Sequence, residues 1–238
     1  MMKAVTFDMW NTLIQEKHYG ELRVKCLASA LAEVGATKSY GEIREAYLST
    51  YEYVEKVWKE ENYRFVSVDE RLCHILERLA AELTEEQRLK VLRDFQEYAL
   101  SDPPDLAEGA RETLRRLSSR LRMGIICDSG YTPGRILRKA LARHQVLGLF
   151  QVTTFSDENG YNKPHGTMFE KTLTSLRVEP SEAVHIGDSL LTDIAGAKTA
   201  GMKAVWLNPN GESAIASHKP DYQITALPEV ISILNEVC

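Results

Sequence analysis

The sequence has few cysteines, no long hydrophobic run and no excess of basic residues. Its four cysteines form no CxxC pair, and they are Cys26, Cys73, Cys127 and Cys238. The sequence therefore predicts neither a zinc site nor a disulfide framework, and it favours a reducing, cytoplasmic environment. The longest apolar runs, such as "AVTF" and "GIIC", are too short to cross a bilayer, and the N-terminus has no signal-peptide pattern. A formal net charge of −5 argues against binding to nucleic acid or to an anionic membrane.

The apolar runs that are present have the length and order of strands in an α/β protein. Residues 2–8 are typical of a short buried strand that ends at Asp8. From residue 106 onward, the strand-like runs "MGIIC", "VTTF", "AVHIG" and "KAVWL" alternate with amphipathic helices. Such alternation predicts a doubly wound parallel sheet, and we expect the first strand to join it. The 238 residues suffice for a core domain together with a smaller one.

Residues 16–101 contain helical patterns and no convincing strand. Two helical faces are visible, formed by Val24, Leu27, Leu31 and Val34, and by Leu89, Leu92, Phe95 and Ala99. Gly35 is placed to end the first helix, and Thr84 with Gln87 forms a capping box that begins another. The prolines of "DPPD" at 102–105 end the block. We therefore predict a Rossmann-like core, residues 1–15 and 102–238, with an inserted all-helical cap, residues 16–101.

Polar residues follow several of the predicted strands. Asp8 ends the first strand, Asp128 and Ser129 follow "GIIC", Asp188 follows "AVHIG", and Lys163 lies in a loop. Because ligands bind at the carboxyl ends of such strands, we expect these side chains to meet. Neighbouring carboxylates repel unless a cation neutralises them, and oxygen ligands favour Mg²⁺. A carboxylate can attack phosphorus and form an acyl phosphate, while a lysine and a metal stabilise the phosphoryl oxygens.

Four ordered motifs resemble those of the haloacid dehalogenase-like hydrolase superfamily. They are "FDMWNTL", "IICDS", "NKP" and "HIGDSLLTDIAGAKTAGM", and they extend over the whole chain. The resemblance implies that Asp8 is the nucleophile. It also implies that Mg²⁺ binds to Asp8, to the backbone carbonyl of Trp10 and to Asp188, while Asp193 supports the metal site from behind these ligands or through a water molecule.

The same resemblance implies where the phosphate binds. Lys163 would contact both the nucleophile and the phosphate. Side-chain and backbone donors that anchor the phosphate would come from Thr12, Cys127, Asp128 and Ser129. One of these positions departs from the family pattern, because Cys127 replaces the usual serine or threonine. Ser129 or backbone amides would then supply the missing donor.

Trp10 is the larger departure, since phosphatases of the family usually have an aspartate there. That aspartate protonates the leaving alcohol, an effect typically worth about 10²–10⁴-fold. Dehalogenases have an aromatic residue at this position, but they work without a metal and generally lack the Gly-Asp pair that "GDSLLTD" retains. We therefore favour a Mg²⁺-dependent phosphatase acting on a small phosphorylated metabolite. The alternatives are a metal-independent 2-haloacid dehalogenase and a non-catalytic, metal-binding regulatory descendant. His165 and Asp128 are the first candidates for a substitute acid.

The cap contains the aromatic stretch "YEYVEKVWKEENYRF". Tyr47, Tyr51, Val54 and Trp58 share one helical face, which would be buried in the core of the cap. A second interpretation places Trp58, between Lys56 and Lys59, at the cleft between cap and core, where it would gate entry. The sequence contains no signature that names the substrate more closely than a phosphate monoester, and it leaves the oligomeric state open.

Overall fold

The computed structural model describes residues 1–213 and 219–237. In this part of the chain six parallel strands form one sheet with the order β3-β2-β1-β4-β5-β6. The strands are β1 (Ala4–Phe7), β2 (Arg122–Cys127), β3 (Val152–Phe155), β4 (Ala183–Gly187), β5 (Lys203–Leu207) and β6 (Tyr222–Ile224). The predicted doubly wound parallel sheet is confirmed. The last strand was not predicted, because three residues are too few to show a hydrophobic period.

Alternate side chains of the strands build a separate core on each face of the sheet. Val5 and Phe7 pack on one side with residues of α5 (Ala110–Ser118) and α10 (Val230–Val237). Ala4 packs on the other side with residues of α8 (Gly166–Leu176) and α9 (Ala195–Thr199). Because both faces are covered, β1 is buried along its whole length, which explains its unbroken apolar sequence. Two further helices follow β2 and β3, namely α6 (Gly134–Arg143) and α7 (Ser156–Asn159).

Four helices lie between β1 and β2 and share a hydrophobic core of their own. They are α1 (Gly20–Glu33), α2 (Tyr40–Glu60), α3 (Val68–Leu79) and α4 (Glu85–Ser101). The predicted capping box of Thr84 and Gln87 is present at the start of α4. Gly35 follows the end of α1 with a φ of +74°, a conformation that glycine adopts without strain.

The predicted faces of α1 and α4 need correction at single positions. Leu89 is exposed, whereas Val91, Phe95 and Ala99 are buried. Successive residues are about 100° apart around a helix, so Leu89 lies about 200° from Val91 and faces solvent. Val34 is 36% exposed, because it lies just beyond the last residue of α1.

The segment "LLTDIAGAKTAG" is not the single helix that its pattern predicts. Leu190–Ile194 forms a wider π-helical turn, and α9 begins only at Ala195. Such turns are rare, and they are frequent at functional sites. Among the described residues, no helix is both long enough and apolar enough to span a membrane.

Candidate active site

The carboxyl ends of β1 and β4 open into a cavity of about 550 Å³. These two strands are neighbours at the point where the strand order reverses, which is where open α/β sheets bind ligands. The cavity wall includes residues that follow the strands and residues of the four-helix block. Asp8, Asp128, Lys163 and Asp188 all lie on this wall, so the structure brings together the polar residues that the sequence placed at strand ends.

Lys163 joins two carboxylates in the buried part of this cavity. Its Nζ lies 2.5 Å from Asp8 Oδ1 and 2.6 Å from Asp193 Oδ1. All three side chains are almost completely buried. The backbone N–H of Lys163 also donates to Asp128 Oδ1 at 2.9 Å. The position of the ammonium is therefore fixed by three separate segments of the chain.

The loop that carries Lys163 is bonded to the four-helix block. Asn162 N donates to Tyr63 O at 2.8 Å, and Phe65 N donates to Gly160 O at 2.9 Å. The buried amide of Asn162 also reaches the carbonyl oxygens of Tyr63 and Arg64. The placement of the ammonium thus depends directly on how the helical block sits on the sheet.

Asp193 is held by donors on both of its oxygens. His185 Nε2 lies 3.1 Å from Oδ1, and Ser189 N donates to Oδ2 at 3.0 Å. Thr6 Oγ1 lies 2.9 Å from His185 Nδ1. These contacts are satisfied together when the imidazole donates from Nε2 and accepts at Nδ1. The sequence interpretation missed Thr6 and His185, although polar residues within buried strands signal such a network.

Three carboxylates of this site lie close enough to share a metal ion. Ligand oxygens of Asp8, Asp188 and Asp193 all lie within 4.8 Å of one another. Burial raises the pKa of Asp8 well above its usual range, and Asp193 and Asp188 raise it further against the opposing effect of Lys163. Burial and Asp193 raise the pKa of Asp188 to about 6. Although burial alone would raise the pKa of Asp193, Lys163 and His185 hold it well below its usual range.

The charges of this cluster do not balance within the protein. Three carboxylates share one ammonium, so two negative charges remain when all three are ionised. Burial lowers the pKa of His185, which favours its neutral form. Oxygen ligands with an excess of two negative charges suit a divalent cation, and we conclude that this donor set can hold a metal ion.

Gly187 makes room for the Asp193 carboxyl group. A Cβ atom on Gly187 would lie 2.3 Å from Asp193 Cγ, which is far inside van der Waals contact. We expect Gly187→Ala to lower the free energy of unfolding by about 1–3 kcal/mol, the usual cost of overpacking. In Gly148→Ala the new methyl group meets no atom within 4 Å, so this control should unfold like the unmodified protein. Equal denaturant midpoints for the two variants would contradict this account.

The predicted phosphate-anchoring residues fall into two groups. Asp128 and Ser129 line the cavity, but the Ser129 hydroxyl is already engaged, at 3.0 Å from Ser156 Oγ and as acceptor for Asp157 N. Thr12 and Cys127 are fully buried, and neither is among the residues that line the cavity. Thr12 Oγ1 has no hydrogen-bond partner among the described residues. The backbone N–H groups of Thr12 and Ser129 also have acceptors, Met9 O and Ser156 Oγ, so the Thr12 hydroxyl is the unpartnered side-chain donor of this set among the described residues.

Trp10 lies on the cavity wall and also packs against the core of the sheet. Of the two candidate substitute acids, Asp128 shares this cavity, and burial raises its pKa to about 6. His165 is placed differently. Its ring stacks on Tyr161 with centroids 3.9 Å apart, and Nδ1 accepts from Thr167 N at the start of α8. His165 is not among the residues that line the cavity, so Asp128 is the better placed of the two.

Trp58 has contacts that are compatible with both interpretations of the aromatic face of α2. It packs on the small apolar cluster of Val54, Val57 and Val66, and it also lines the cavity. Its indole Nε1 is buried and has no hydrogen-bond partner among the described residues. Tyr47 is buried in the core of the helical block, whereas Tyr51 is more than half exposed. The flanking Lys56 and Lys59 form exposed ion pairs with glutamates of the same helix.

The chain belongs to the haloacid dehalogenase-like hydrolase family, because the model of that family matches residues 2–201. A glyceraldehyde 3-phosphate phosphatase from Pyrococcus furiosus is 38% identical over 131 residues, which are 53% of this chain and 53% of that protein. The matches to three curated relatives, this one among them, span 53%, 40% and 57% of the length of those proteins.

Two solved structures resemble the whole chain. A crystal structure of a HAD phosphatase from Thermococcus onnurineus superposes with a TM-score of 0.70 at 29% identity, covering 98% of both chains. A 2-haloacid dehalogenase from Pseudomonas syringae superposes with a TM-score of 0.71 at 23% identity, covering 100% of both chains. At 23% identity, the similarity to the dehalogenase is evidence of a shared fold alone.

Proposed function

We propose that the protein is a Mg²⁺-dependent phosphatase that hydrolyses small phosphate monoesters through an aspartyl phosphate on Asp8. One observation carries the proposal: Asp188 lies beside Asp8 and Asp193 in a site with two more negative charges than Lys163 neutralises. A dehalogenase that works without a metal has no use for such a charge excess, which only raises the pKa of its nucleophile. The names of similar proteins, which describe phosphatases, support the same class of reaction.

In the proposed reaction a carboxylate oxygen of Asp8 attacks phosphorus, and the ester P–O bond breaks. The leaving alcohol carries away the electron pair and takes up a proton. Water then attacks the phosphorus of the aspartyl phosphate, which releases inorganic phosphate and restores the Asp8 carboxylate. Lys163 holds the Asp8 carboxylate in place at 2.5 Å and would contact the phosphoryl oxygens. Asp193 and His185 fix the ammonium from behind.

The metal-binding residues in this proposal are Asp8, Asp188 and the backbone carbonyl of Trp10. Asp193 stays in a supporting position because all of its contacts are already made by Lys163, His185 and Ser189. Bound Mg²⁺ would neutralise the excess charge and stabilise negative charge on the phosphoryl group. Asp128 would supply the proton that an aspartate at position 10 supplies in other phosphatases, since burial keeps its pKa at about 6.

The experiment that tests this proposal compares two substrates and two metal conditions. We expect hydrolysis of an aryl phosphate in Mg²⁺ and loss of that activity in excess chelator. Halide release from a 2-haloacid in chelator would establish the dehalogenase alternative instead. Binding of Mg²⁺ without turnover of either substrate would establish the non-catalytic alternative.

We also infer that residues 16–101 act as a cap over the sheet domain, which comprises residues 1–15 and 102–238. The cavity is lined by both parts, and a cap in that position excludes water and selects substrates. A small phosphorylated metabolite fits a cavity of about 550 Å³. The free thiols of Cys26, Cys73 and Cys127 support the cytoplasm as the location.

The Trp58 side chain is the proposed gate of this cap. We expect Trp58→Ala to raise KM for an aryl phosphate about tenfold, because one face of the cavity loses its aromatic wall and its indole donor. Trp58→Phe keeps a six-membered aromatic ring and removes the rest of the indole together with its N–H donor, so it should change KM less than Trp58→Ala. A full core truncation would cost about 3–5 kcal/mol. An unchanged KM together with a stability loss of that size would assign Trp58 to packing alone.

A further inference from the structure

Two arginines at the cap end of the cavity are buried without a carboxylate partner. Arg23 of α1 and Arg71 of α3 are each only 6% exposed, and both line the cavity that contains Asp8. Across residues 1–213 and 219–237, neither forms an ion pair. Each Nε donates to a backbone carbonyl, that of Phe95 at 3.0 Å and that of Val66 at 3.2 Å. The protein thus buries two guanidinium charges, which normally requires a pairing anion.

Tyr131 gives these arginines a common support. The guanidinium carbon of Arg23 lies 4.5 Å from the centroid of the Tyr131 ring, and that of Arg71 lies 4.8 Å from it. Tyr131 belongs to the loop after β2, three residues beyond Asp128, and its ring packs in the core of the helical block. Its hydroxyl lies 3.0 Å from Thr50 Oγ1. Cation–π contacts attract the arginines to the ring, but they leave the net charge of the pair unneutralised.

Other polar atoms at this end of the cavity also lack partners. The Tyr47 hydroxyl and the Trp58 Nε1 are buried without a hydrogen bond among the described residues, and both side chains line the cavity. Two acidic residues on the cavity wall already accept hydrogen bonds from other residues. Glu21 accepts from Tyr40 and from Arg44, and Glu16 accepts from Asn11. The Trp58 N–H, the Tyr47 hydroxyl and the two guanidinium groups can each donate a hydrogen bond, and a negatively charged acceptor suits such a set.

We propose that the substrate carries a second anionic group, a carboxylate or another phosphate, which Arg23 and Arg71 bind where the helical block forms the wall of the cavity. This inference rests on the proposed phosphatase function and names its substrate class. Burial lowers the pKa of Arg71, so an anion in contact with it relieves the cost of holding that charge away from water. A neutral distal group would leave both guanidinium groups unpaired.

The first test uses the unmodified protein in Mg²⁺ with two matched pairs of esters. The pairs are 3-phosphoglycerate with glycerol 3-phosphate, and glucose 1,6-bisphosphate with glucose 6-phosphate. Each pair differs in one distal anionic group. We expect kcat/KM to be at least about tenfold higher for the anionic member of one pair, because hydrogen bonds to charged groups contribute that much or more. Equal or lower values for the anionic member in both pairs would overturn the proposal.

The second test replaces the arginines one at a time. Arg71→Gln and Arg23→Gln should lower the anionic-to-neutral ratio of kcat/KM about tenfold or more, mainly through KM. Arg71→Lys keeps the charge but not the planar fork, so it should retain part of the preference. Arg88→Gln is the matched control, because Arg88 lies in the same helical block, pairs with Asp69 and is not among the residues that line the cavity, so its ratio should not change. Folded glutamine variants that keep the ratio of the unmodified protein would contradict the assignment.

Failure of this inference is distinguishable from failure of the proposed function. Turnover of all four esters without an anionic preference would retain the phosphatase and reject the distal anion site. If neither these esters nor an aryl phosphate is hydrolysed in Mg²⁺, the phosphatase proposal fails, and calorimetric titration with the same four esters tests the site separately. Tighter binding of the anionic members, lost in Arg71→Gln, would then support the site, and equal binding would reject it.

Discussion

Replacing Asp8 with asparagine is expected to reduce phosphatase activity by about 10⁴-fold or more, since loss of a nucleophile removes the covalent route as a whole. The variant should nevertheless fold. The introduced asparagine would keep the size of the side chain, and Lys163 would keep its ion pair with Asp193. The matched control is Asp105→Asn, which removes an exposed carboxylate away from the cavity and should leave activity unchanged. Activity in Asp8→Asn equal to that of the control would exclude Asp8 as the nucleophile.

The same substitution has an expected effect on stability whose sign follows from the pKa. The pKa of Asp8 is raised in the folded protein, chiefly by burial, so the metal-free fold loses stability as the pH rises above the ordinary pKa of an aspartate, until Asp8 is ionised in the folded protein as well. The neutral asparagine removes this penalty. We therefore expect Asp8→Asn to melt in chelator at or above the temperature of the unmodified protein at neutral pH. We also expect it to gain less stability from added Mg²⁺, and a thermal melt with and without the metal measures both effects.

Trp10→Asp is expected to raise the ratio of alkyl to aryl phosphate kcat/KM about tenfold or more, towards the 10²–10⁴-fold that general acids typically contribute. Only the alkoxide leaving group needs a strong proton donor, so only the alkyl ester should gain. Trp10 lies on the cavity wall, where a carboxyl group would face the substrate. The ratio is the right readout, because loss of the indole from the sheet core would affect both esters alike.

Trp10→Asn is the control for this substitution. Asparagine has nearly the shape of aspartate but cannot donate the proton of a carboxylic acid, so its ratio should stay near that of the unmodified protein. If the alkyl-to-aryl ratio of kcat/KM rises equally in Trp10→Asp and Trp10→Asn, the effect comes from the space around the leaving group that loss of the indole opens. A ratio that stays flat in a folded, Mg²⁺-binding Trp10→Asp variant would show that Asp128 or another group already supplies the proton. Asp128→Asn would then be expected to lose activity on alkyl esters selectively.

The sheet and the polar residues at its strand ends were predictable because they depend on local patterns. Parallel strands covered on both faces produce short apolar runs, and a polar residue directly after such a run must lie at the carboxyl edge of the sheet. Asp8 and Asp188 were found in this way. Leu89 shows the limit of the method in helices, since several choices of face fit a helix that is rich in apolar residues.

The contacts that complete the site could not be predicted, because they join segments that are distant in the sequence. Ser129 was expected to supply a hydroxyl to phosphate, but in the structure that hydroxyl bonds with Ser156 and Asp157 near the start of α7. The π-helical turn at Leu190–Ile194 likewise has no hydrophobic signature. Arg23 and Arg71 are ordinary polar positions in their helix patterns. Only the fold shows that both are buried against Tyr131.

The most direct measurement of the central claim is the mass of the peptide that contains Asp8, taken after acid quench during turnover of an aryl phosphate in heavy-oxygen water. We expect a fraction of the peptide to carry one phosphoryl group in Mg²⁺ and none in chelator. We also expect the heavy oxygen to appear in the released phosphate, because water attacks phosphorus. Heavy oxygen in the Asp8 carboxyl group would mean that water attacks the acyl carbon, as in an ester intermediate of a dehalogenase. If the released phosphate carries the heavy oxygen but repeated rapid quenches contain no phosphorylated peptide, the result contradicts an intermediate on Asp8.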